Sequence, residues 1–185
     1  MAELGEKAEA APELLAVVAI PDDELARIPT GNGPIVVLDR PASPGNLGTA
    51  IRSADALGAA GLVVSGHAAD PYDPRAVRSS TGSLLALPVV RAASHRPVVE
   101  WAAANGLRIF GADEAGADDL DRADLTGPAL LVIGTEATGL SSGWRQACDQ
   151  LIRIPMAGAA SSLNAATAAS IILYETWRQR RMHVQ

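Results

Sequence analysis

The chain has 185 residues, 48% of them hydrophobic, and a formal net charge of −6. This composition supports one sizeable core and excludes a disordered or fibrous chain. The single cysteine, Cys148, excludes an internal disulfide and a cysteine-based zinc cluster, and His67, His95 and His183 are too scattered to suggest a metal site. The N-terminus lacks a secretory pattern, and no apolar run reaches the roughly 18 residues of a membrane span. We therefore expect a cytoplasmic protein with neither a metal nor a membrane partner.

The charge is unevenly distributed along the chain. Residues 1–30 hold seven acidic side chains against Lys7 and Arg27, a net charge of −5, which leaves −1 for the rest. Because Lys7 is the only lysine, 14 cationic residues are arginines, whose guanidinium suits bidentate phosphate contacts. A coding bias toward alanine, glycine and arginine explains the same composition without a function, and both interpretations stay open.

Short β-branched runs alternate with helical patterns along the chain. In chain order we predict a strand at Leu14–Ile20, a short helix at Asp22–Arg27, a strand at Ile35–Asp39, a helix at Asn46–Leu57, a strand at Gly61–Ser65, a helix at Pro74–Ser80, a strand at Leu87–Val90, a helix at Arg96–Asn105, strands at Leu107–Gly111 and Ala129–Gly134, a helix at Ser142–Cys148, a strand at Leu151–Ile154 and a helix from Ser162 to about Met182. Strands separated by helices predict an α/β fold with a mainly parallel sheet and helices on both faces.

A turn-rich stretch at residues 29–34 divides the acidic N-terminal part from the rest. We predict an N-terminal segment or linker at residues 1–33 and one domain at residues 34–185. One strand and one short helix are too little for an independent core, so the first segment is either an extra edge strand or the remnant of a domain absent from this chain.

A Pro/Gly-rich loop follows the predicted strand Ile35–Asp39 and opens the next helix. Polar groups in such a loop lie at the carboxyl edge of a parallel sheet, where ligands of open α/β folds bind. Asn46 is placed to cap the helix, and Arg52, six residues later, lies on a different side of it. The glycine spacing over 45–50 is G-x-x-G-x-A, so a Rossmann-type nicotinamide enzyme is an alternative with weak support.

Two more polar loops follow apolar strands. In the loop 134–140, Glu136 lies between two glycines that allow a ligand to approach the backbone. The loop 155–164 precedes the last helix, where Ser161 or Ser162 can cap the helix and its free N–H groups can bind an acceptor or anion. Because all three loops end strands of one sheet, we predict that they share one pocket.

Together these loops resemble the SpoU/TrmH family of RNA 2′-O-ribose methyltransferases, in the SPOUT class, over roughly residues 35–180. The motifs that carry the resemblance are Asn46-Leu47-Gly48 with Arg52, Gly134-Thr135-Glu136-Ala137-Thr138-Gly139-Leu140, and Ile154-Pro155-Met156 with Ser162-Leu163-Asn164. Two positions depart from the family pattern: Ser161 stands where an acid is often found, and Ala165-Ala166 stand where Val-Ser often follows.

The resemblance implies a C-terminal trefoil knot, a homodimer, and S-adenosyl-L-methionine as the cofactor. The residues implied for the catalytic site are Asn46, Arg52, Glu136, Ser162 and Asn164, and those implied for cofactor binding are Gly134, Leu140, Ile154, Met156 and Leu163. The implied reaction methylates a ribose 2′-hydroxyl of structured RNA, with ribosomal RNA favoured and transfer RNA second. Because a guanidinium is a poor proton acceptor, we expect Arg52 to clamp a phosphate and stabilise charge on the 2′-oxygen.

Residues 72–96 carry a local excess of positive charge. Against Asp73 alone stand four arginines, Arg75, Arg78, Arg91 and Arg96, and we predict that they contact RNA. The alternative interpretation is that these arginines lie on a solvent-exposed face that does not bind RNA. The last helix has a second basic end at Arg178, Arg180 and Arg181. A non-catalytic RNA-binding module of the same fold is a further alternative, disfavoured by the presence of Arg52 and Glu136.

Overall fold

The structure, a computed structural model, describes residues 16–31, 33–160 and 162–183. The regular elements within these ranges are β1 (Ile35–Asp39), α1 (Pro44–Ala56), β2 (Gly61–Ser65), α2 (Pro74–Ser80), α3 (Ser83–Ala86), β3 (Val89–Ala92), α4 (His95–Ala104), β4 (Arg108–Ala112), β5 (Asp118–Asp119), β6 (Ala129–Ile133), α5 (Ser142–Ala147), β7 (Gln150–Arg153) and α6 (Ala165–His183), with single 3-10 turns at Leu25–Arg27 and Leu120–Arg122. Among these helices, none has both the length and the apolar character that crossing a membrane requires.

The strands of the described residues form one parallel sheet in the order β3-β2-β1-β6-β4-β7-β5. In the centre, Val37 of β1 is in register with Val63 of β2 and Val132 of β6. Every residue of β1, β2 and β6 is buried, as expected for parallel strands covered on both faces. The predicted α/β fold with a mainly parallel sheet is confirmed.

Helices cover both faces of this sheet because successive side chains of a strand point to opposite sides. Val36 and Leu38 belong to the core under α1, α3 and α6. Ile35 and Val37 belong to the core under α4 and α5, which includes the fully buried Trp144. The two cores hold the carboxyl ends of the strands at one edge, where the polar loops emerge.

Helix α1 begins at a different residue from the one predicted. Ser43 is its N-cap and accepts a hydrogen bond from the backbone N–H of Asn46 at 3.3 Å, with Pro44 in the first turn. Asn46, predicted as the cap, therefore lies inside the first turn, and its side chain is free to point elsewhere. The bounds predicted for β1, β2 and α2 match the structure.

The predicted strand Leu14–Ile20 is wrong over its described part. Residues 16–20 have no regular structure and are exposed, whereas Leu14 and Leu15 lie outside the described residues. The sheet edge at β3 is covered in another way, because the backbone N–H of Arg91 donates to Asp23 at 2.9 Å. The predicted helix Asp22–Arg27 is reduced to the turn Leu25–Arg27, after which Ile28 is buried in the core.

Candidate active site

A cavity of about 460 Å³ lies at the carboxyl ends of β4, β6 and β7. Its lining residues are Ala112, Asp113, Glu114, Ile133, Gly134, Thr135, Glu136, Ala137, Thr138, Gly139, Arg145, Ile152, Ile154, Met156, Ser162, Leu163, Ala165 and Ala168. The loops after three strands and the start of α6 therefore surround one space. A volume of this size suits a small organic ligand, since such sites typically measure roughly 300–1,000 Å³.

The loop after β6 forms one wall and is closed by its own backbone. Thr135 donates its N–H to the carbonyl of Gly139 at 3.2 Å, and Gly139 donates back to Thr135 at 2.8 Å. A Cβ on Gly134 would lie 2.1 Å from the carbonyl carbon of Gly139, so no side chain fits at that position. Gly139 has a φ of +60°, which glycine adopts without steric cost. This tight loop carries Glu136 at the cavity.

Glu136 joins three separate segments of the chain. Its Oε1 accepts a hydrogen bond from Nδ2 of Asn46 at 2.9 Å and another from the backbone N–H of Ala165 at 3.1 Å. Asn46 lies in α1 after β1, and Ala165 is the first residue of α6. The predicted convergence of three strand-ending loops is therefore present in the structure.

Asn164 caps α6, in place of the predicted Ser162. Its Oδ1 accepts hydrogen bonds from the backbone N–H groups of Ala166 at 2.9 Å and Thr167 at 3.4 Å. The predicted start of this helix at Ser162 is wrong by three residues, because a carboxamide competes well with a hydroxyl for the cap position. Ser162 lines the cavity instead, and Ser161 lies outside the described residues.

Four of the five residues predicted to bind a cofactor line the cavity: Gly134, Ile154, Met156 and Leu163. Leu140, the fifth residue, does not. Its side chain is 4% exposed and lies in the core with Trp144, against the Cα position of Gly111. The buried Leu140 side chain therefore packs between the loop 134–140 and the core and is not accessible to a ligand.

Arg52 is exposed on α1 and does not line the cavity. Six residues after Asn46, it lies about 9 Å further along the helix axis. The structure therefore brings Asn46, Glu136, Ser162 and the cap residue Asn164 to one region, and leaves Arg52 outside it.

Three charged residues of the cavity were missed at the sequence level. Asp113 and Glu114 follow β4 directly, and Arg145 extends from α5. The Asp113 carboxylate is 6% exposed and lies 2.5 Å from Nη2 of Arg145. The rule that identified the other loops, polar residues just after a buried strand, applies equally to Asp113 and would have found it.

The predicted RNA-contacting arginines are partly compensated by acids. Arg75 makes two hydrogen bonds to Asp73, at 3.1 and 3.0 Å, and these hold the pKa of the Asp73 carboxyl below its usual value. Arg91 bonds Asp23 at 2.8 Å, and its second acidic neighbour is Asp70. Arg78 and Arg96 are exposed. The positive charge of this surface is therefore lower than the sequence predicted.

The arginines at the basic end of the last helix make contacts within the domain that hold α6 in place. Arg178 pairs with Glu175 at 2.7 Å, and Arg180 donates to the carbonyls of Leu125 and Gly127. Burial lowers the pKa of Arg180. Arg181 lies over the Trp177 ring, 5.2 Å from its centroid.

The sequence matches the SpoU rRNA Methylase family over residues 33–174. The chain belongs to this family. It is 58% identical over 184 residues to the 23S rRNA (uridine(2479)-2′-O)-methyltransferase of Streptomyces viridochromogenes, covering 96% of this chain and 64% of that protein. The SpoU chain thus spans less than two thirds of that relative's length.

Two solved methyltransferase structures agree with the fold. The methyltransferase AviRb from Streptomyces viridochromogenes, in complex with the cofactor AdoMet, superposes with a TM-score of 0.85 at 54% identity, over 88% of this chain and 67% of that one. The AdoMet-bound rRNA methyltransferase from Sinorhizobium meliloti gives a TM-score of 0.77 at 38% identity, over 86% and 59%.

Proposed function

We propose that this chain transfers a methyl group from S-adenosyl-L-methionine to a ribose 2′-hydroxyl of ribosomal RNA, in the cytoplasm. The observation that carries the proposal is Glu136, whose carboxylate ties Asn46 and the start of α6 together beside a ligand-sized cavity. The relative named as a 23S rRNA 2′-O-methyltransferase and the two AdoMet complexes support the same chemistry.

The cavity fits a cationic nucleoside better than a dinucleotide. Among the described residues, its walls carry three carboxylates, Asp113, Glu114 and Glu136, against the single guanidinium of Arg145. Such a balance repels a pyrophosphate and attracts a sulfonium or an ammonium group. The nicotinamide alternative is disfavoured on this ground as well as by its glycine spacing. When bound, S-adenosyl-L-methionine supplies an electrophilic methyl group that an oxygen nucleophile can take.

The residues around Glu136 would orient the ribose. Asn46 donates its Nδ2 to Glu136, so its Oδ1 is available to accept from a sugar hydroxyl. Ser162, at the cavity wall, offers a hydroxyl to the same region. Fixing the 2′-oxygen in line with the methyl group lowers the barrier chiefly by alignment. Arg52, outside the cavity, would hold a neighbouring RNA phosphate and stabilise negative charge near the 2′-oxygen.

Methyl transfer to total RNA, followed by mapping of 2′-O-methyl sites, tests the function. We expect Glu136→Gln to lower kcat by about tenfold to a hundredfold, because its weaker acceptor loosens two hydrogen bonds. Glu100→Gln, on the exposed part of α4, is the matched control and should retain wild-type activity. RNA binding without methyl transfer by the wild type would favour the non-catalytic module instead, and stabilisation by NAD in place of S-adenosyl-L-methionine would favour the nicotinamide enzyme.

The role of Arg52 is tested by Arg52→Lys over a range of pH. A lysine keeps the charge but loses the planar fork, so we expect a clear drop in kcat at every pH. Full activity in the lysine variant would reject the clamp.

We also infer that two copies of the chain form a homodimer through α6. One face of this helix is buried in the core, while Tyr174, Trp177 and Met182 on the other are 54%, 39% and 65% exposed. Aromatic residues and methionine are enriched at protein interfaces. Sedimentation should show a dimer for the wild type and a monomer for Trp177→Glu; a monomeric wild type would contradict this inference.

For the chain path we propose the C-terminal trefoil knot that the family resemblance implies. After β7 the chain leads into α6, which packs on α1, where Ser170 bonds Ser53 at 2.7 Å, in keeping with such a path. Pulling the two termini apart should leave a contour length shorter than that of the fully extended chain. A full contour length would exclude a knot.

We further propose that residues 1–33 form a segment or linker whose described part, residues 16–31 and 33, docks on the domain 34–185. Ile28 is 2% exposed in the core, and Asp23 pairs with Arg91. Deletion of residues 1–33 should therefore lower the melting temperature without abolishing folding.

A further inference from the structure

Arg40 has a backbone conformation that arginine rarely adopts. Its φ is +54°, in the left-handed region, directly after β1. Within the described residues the other non-glycine residue with positive φ is Thr81, which ends α2. Arg40 ends a strand, and its backbone N–H donates to the carbonyl of Ser65 at 2.8 Å. This conformation has a steric cost for any residue with a Cβ. Its presence at an arginine therefore indicates that the arginine side chain has a structural or functional role.

The Arg40 guanidinium binds the end of its own strand. Its Nε and Nη2 donate to the two carboxylate oxygens of Asp39 at 3.2 and 3.3 Å. Asp39 is 3% exposed, and its Oδ2 also accepts the backbone N–H of Ser141 at 2.7 Å. Asp39 therefore holds the far end of the loop that follows β6.

The same guanidinium reaches the cavity wall. Nη2 of Arg40 also donates to Thr138 Oγ1 at 3.5 Å and to the carbonyl of Gly139 at 3.4 Å. Thr138 and Gly139 line the cavity, and the Gly139 backbone closes the tight loop on Thr135. Left-handed backbone at residue 40 directs the side chain over Gly66, where a Cβ would lie 2.9 Å from Arg40 Cγ.

We propose that Arg40 is a positioning residue that fixes the loop 134–140 against the carboxyl end of β1 and so sets the cofactor affinity of the cavity. The backbone conformation is tolerated despite its steric cost because the guanidinium links the buried Asp39 carboxylate to Thr138 and Gly139 in the cavity wall. The inference rests on the proposed function, since the ligand is the cofactor of methyl transfer. Arg40 itself does not line the cavity, so it acts through Thr138 and Gly139.

Three variants test this proposal by calorimetric titration with S-adenosylhomocysteine, well below their melting temperatures. Arg40→Gly removes the link and relieves the backbone, and we expect the dissociation constant to rise about tenfold with the loss of a charged hydrogen bond. Arg40→Lys keeps one donor group and should lie between that variant and the wild type. Arg108→Gly, the matched control at the amino end of β4, removes an arginine bonded to Gln150 and should bind as tightly as the wild type.

Hydrogen exchange of the ligand-free proteins provides a readout that does not depend on the cofactor. We expect faster exchange at the Gly139 amide in Arg40→Gly, and an unchanged rate in Arg108→Gly. Wild-type affinity in Arg40→Gly would overturn the proposal while leaving the methyltransferase function intact. If the wild type failed to bind S-adenosylhomocysteine, the proposed function would fall, and unchanged Gly139 exchange would then overturn the positioning role as well.

Discussion

The carboxamide of Asn164 has two polar groups, Oδ1 and Nδ2, which can bind different partners. Its Oδ1 caps α6, which leaves Nδ2 as the part of the side chain that can serve the active site. Neighbouring Ala165 donates its N–H to Glu136, so the cap and the carboxylate together fix the first turn of the helix. If Asn164 takes part in methyl transfer as proposed, a change at this residue should affect both stability and catalysis, and the two effects can be separated.

We predict that Asn164→Ala lowers the free energy of unfolding by about 1 kcal/mol, the usual cost of losing a cap. Asn164→Asp should unfold near the wild-type urea concentration, because a carboxylate also caps a helix, yet it should lose methyl transfer with Nδ2. Equal activity in Asn164→Asp and the wild type would show that Nδ2 has no role.

Cys148 gives a prediction about pH. Burial, with a smaller contribution from Asp149, raises the pKa of its thiol from 9.0 to about 12. The folded state then holds a proton that the unfolded state loses first, so stability falls as pH rises from about 9 toward 12. Cys148→Ser, whose hydroxyl does not titrate there, should show a flatter decline in urea titrations at pH 8, 9 and 10. A decline as steep as that of the wild type would contradict this.

At the scale of the element, the close approach of α1 and α2 depends on Gly48. A Cβ at this position would lie 2.0 Å from Ser79 Oγ and 2.3 Å from the carbonyl of Ala76. At this point the backbone of α1 packs directly against α2. Gly45, in the same helix, has open space around it, with the nearest atom at 3.8 Å.

We predict opposite effects for the same substitution at these two glycines. Gly48→Ala should lower the free energy of unfolding by about 1–3 kcal/mol, because the helices must move apart. Gly45→Ala should be neutral or raise it by up to about 1 kcal/mol through helix propensity. Thermal melts of both variants check this, and equal melting temperatures would mean that the helices separate without cost.

The bounds of a helix or strand can be predicted from the sequence where a single local pattern determines them. β1, β2 and α2 have the predicted bounds because an apolar run or a proline at the first turn marks them without competition. The start of α6 was wrong because three residues, Ser161, Ser162 and Asn164, can each cap a helix. The choice between them depends on Glu136, which binds the N–H of Ala165 from 29 positions away.

At the scale of the whole molecule, charges distant in sequence decide how basic a surface is. The sequence places Arg91 in a positive segment, but folding brings Asp23 against it and adds Asp70 nearby. The convergence of the three loops could be predicted, because carboxyl ends of parallel strands meet at one edge. The positions of Arg52, Leu140 and Arg40 could not, since they depend on helix orientation and packing.

The arginine surface on α2 remains a prediction with a defined test. Changing Arg75 and Arg78 together to glutamine should weaken RNA binding and flatten its dependence on salt, by roughly 0.7–0.9 in logarithmic slope for each RNA phosphate that an arginine no longer neutralises. Arg108→Gln, at the amino end of the sheet, is the control and should leave the slope unchanged. An unchanged slope in the double variant would exclude this surface.

The position of β6 between β1 and β4 has a consequence for synthesis on the ribosome. A nascent chain that has released residues 35–112 can pair β1 with β2 and β2 with β3, but β4 has no partner strand until β6 emerges. The cavity wall is completed later still, by Ala168 in α6. We infer that a polypeptide stalled anywhere before that helix is unable to bind its small-molecule ligand, so ligand affinity arises only after α6 has been synthesised.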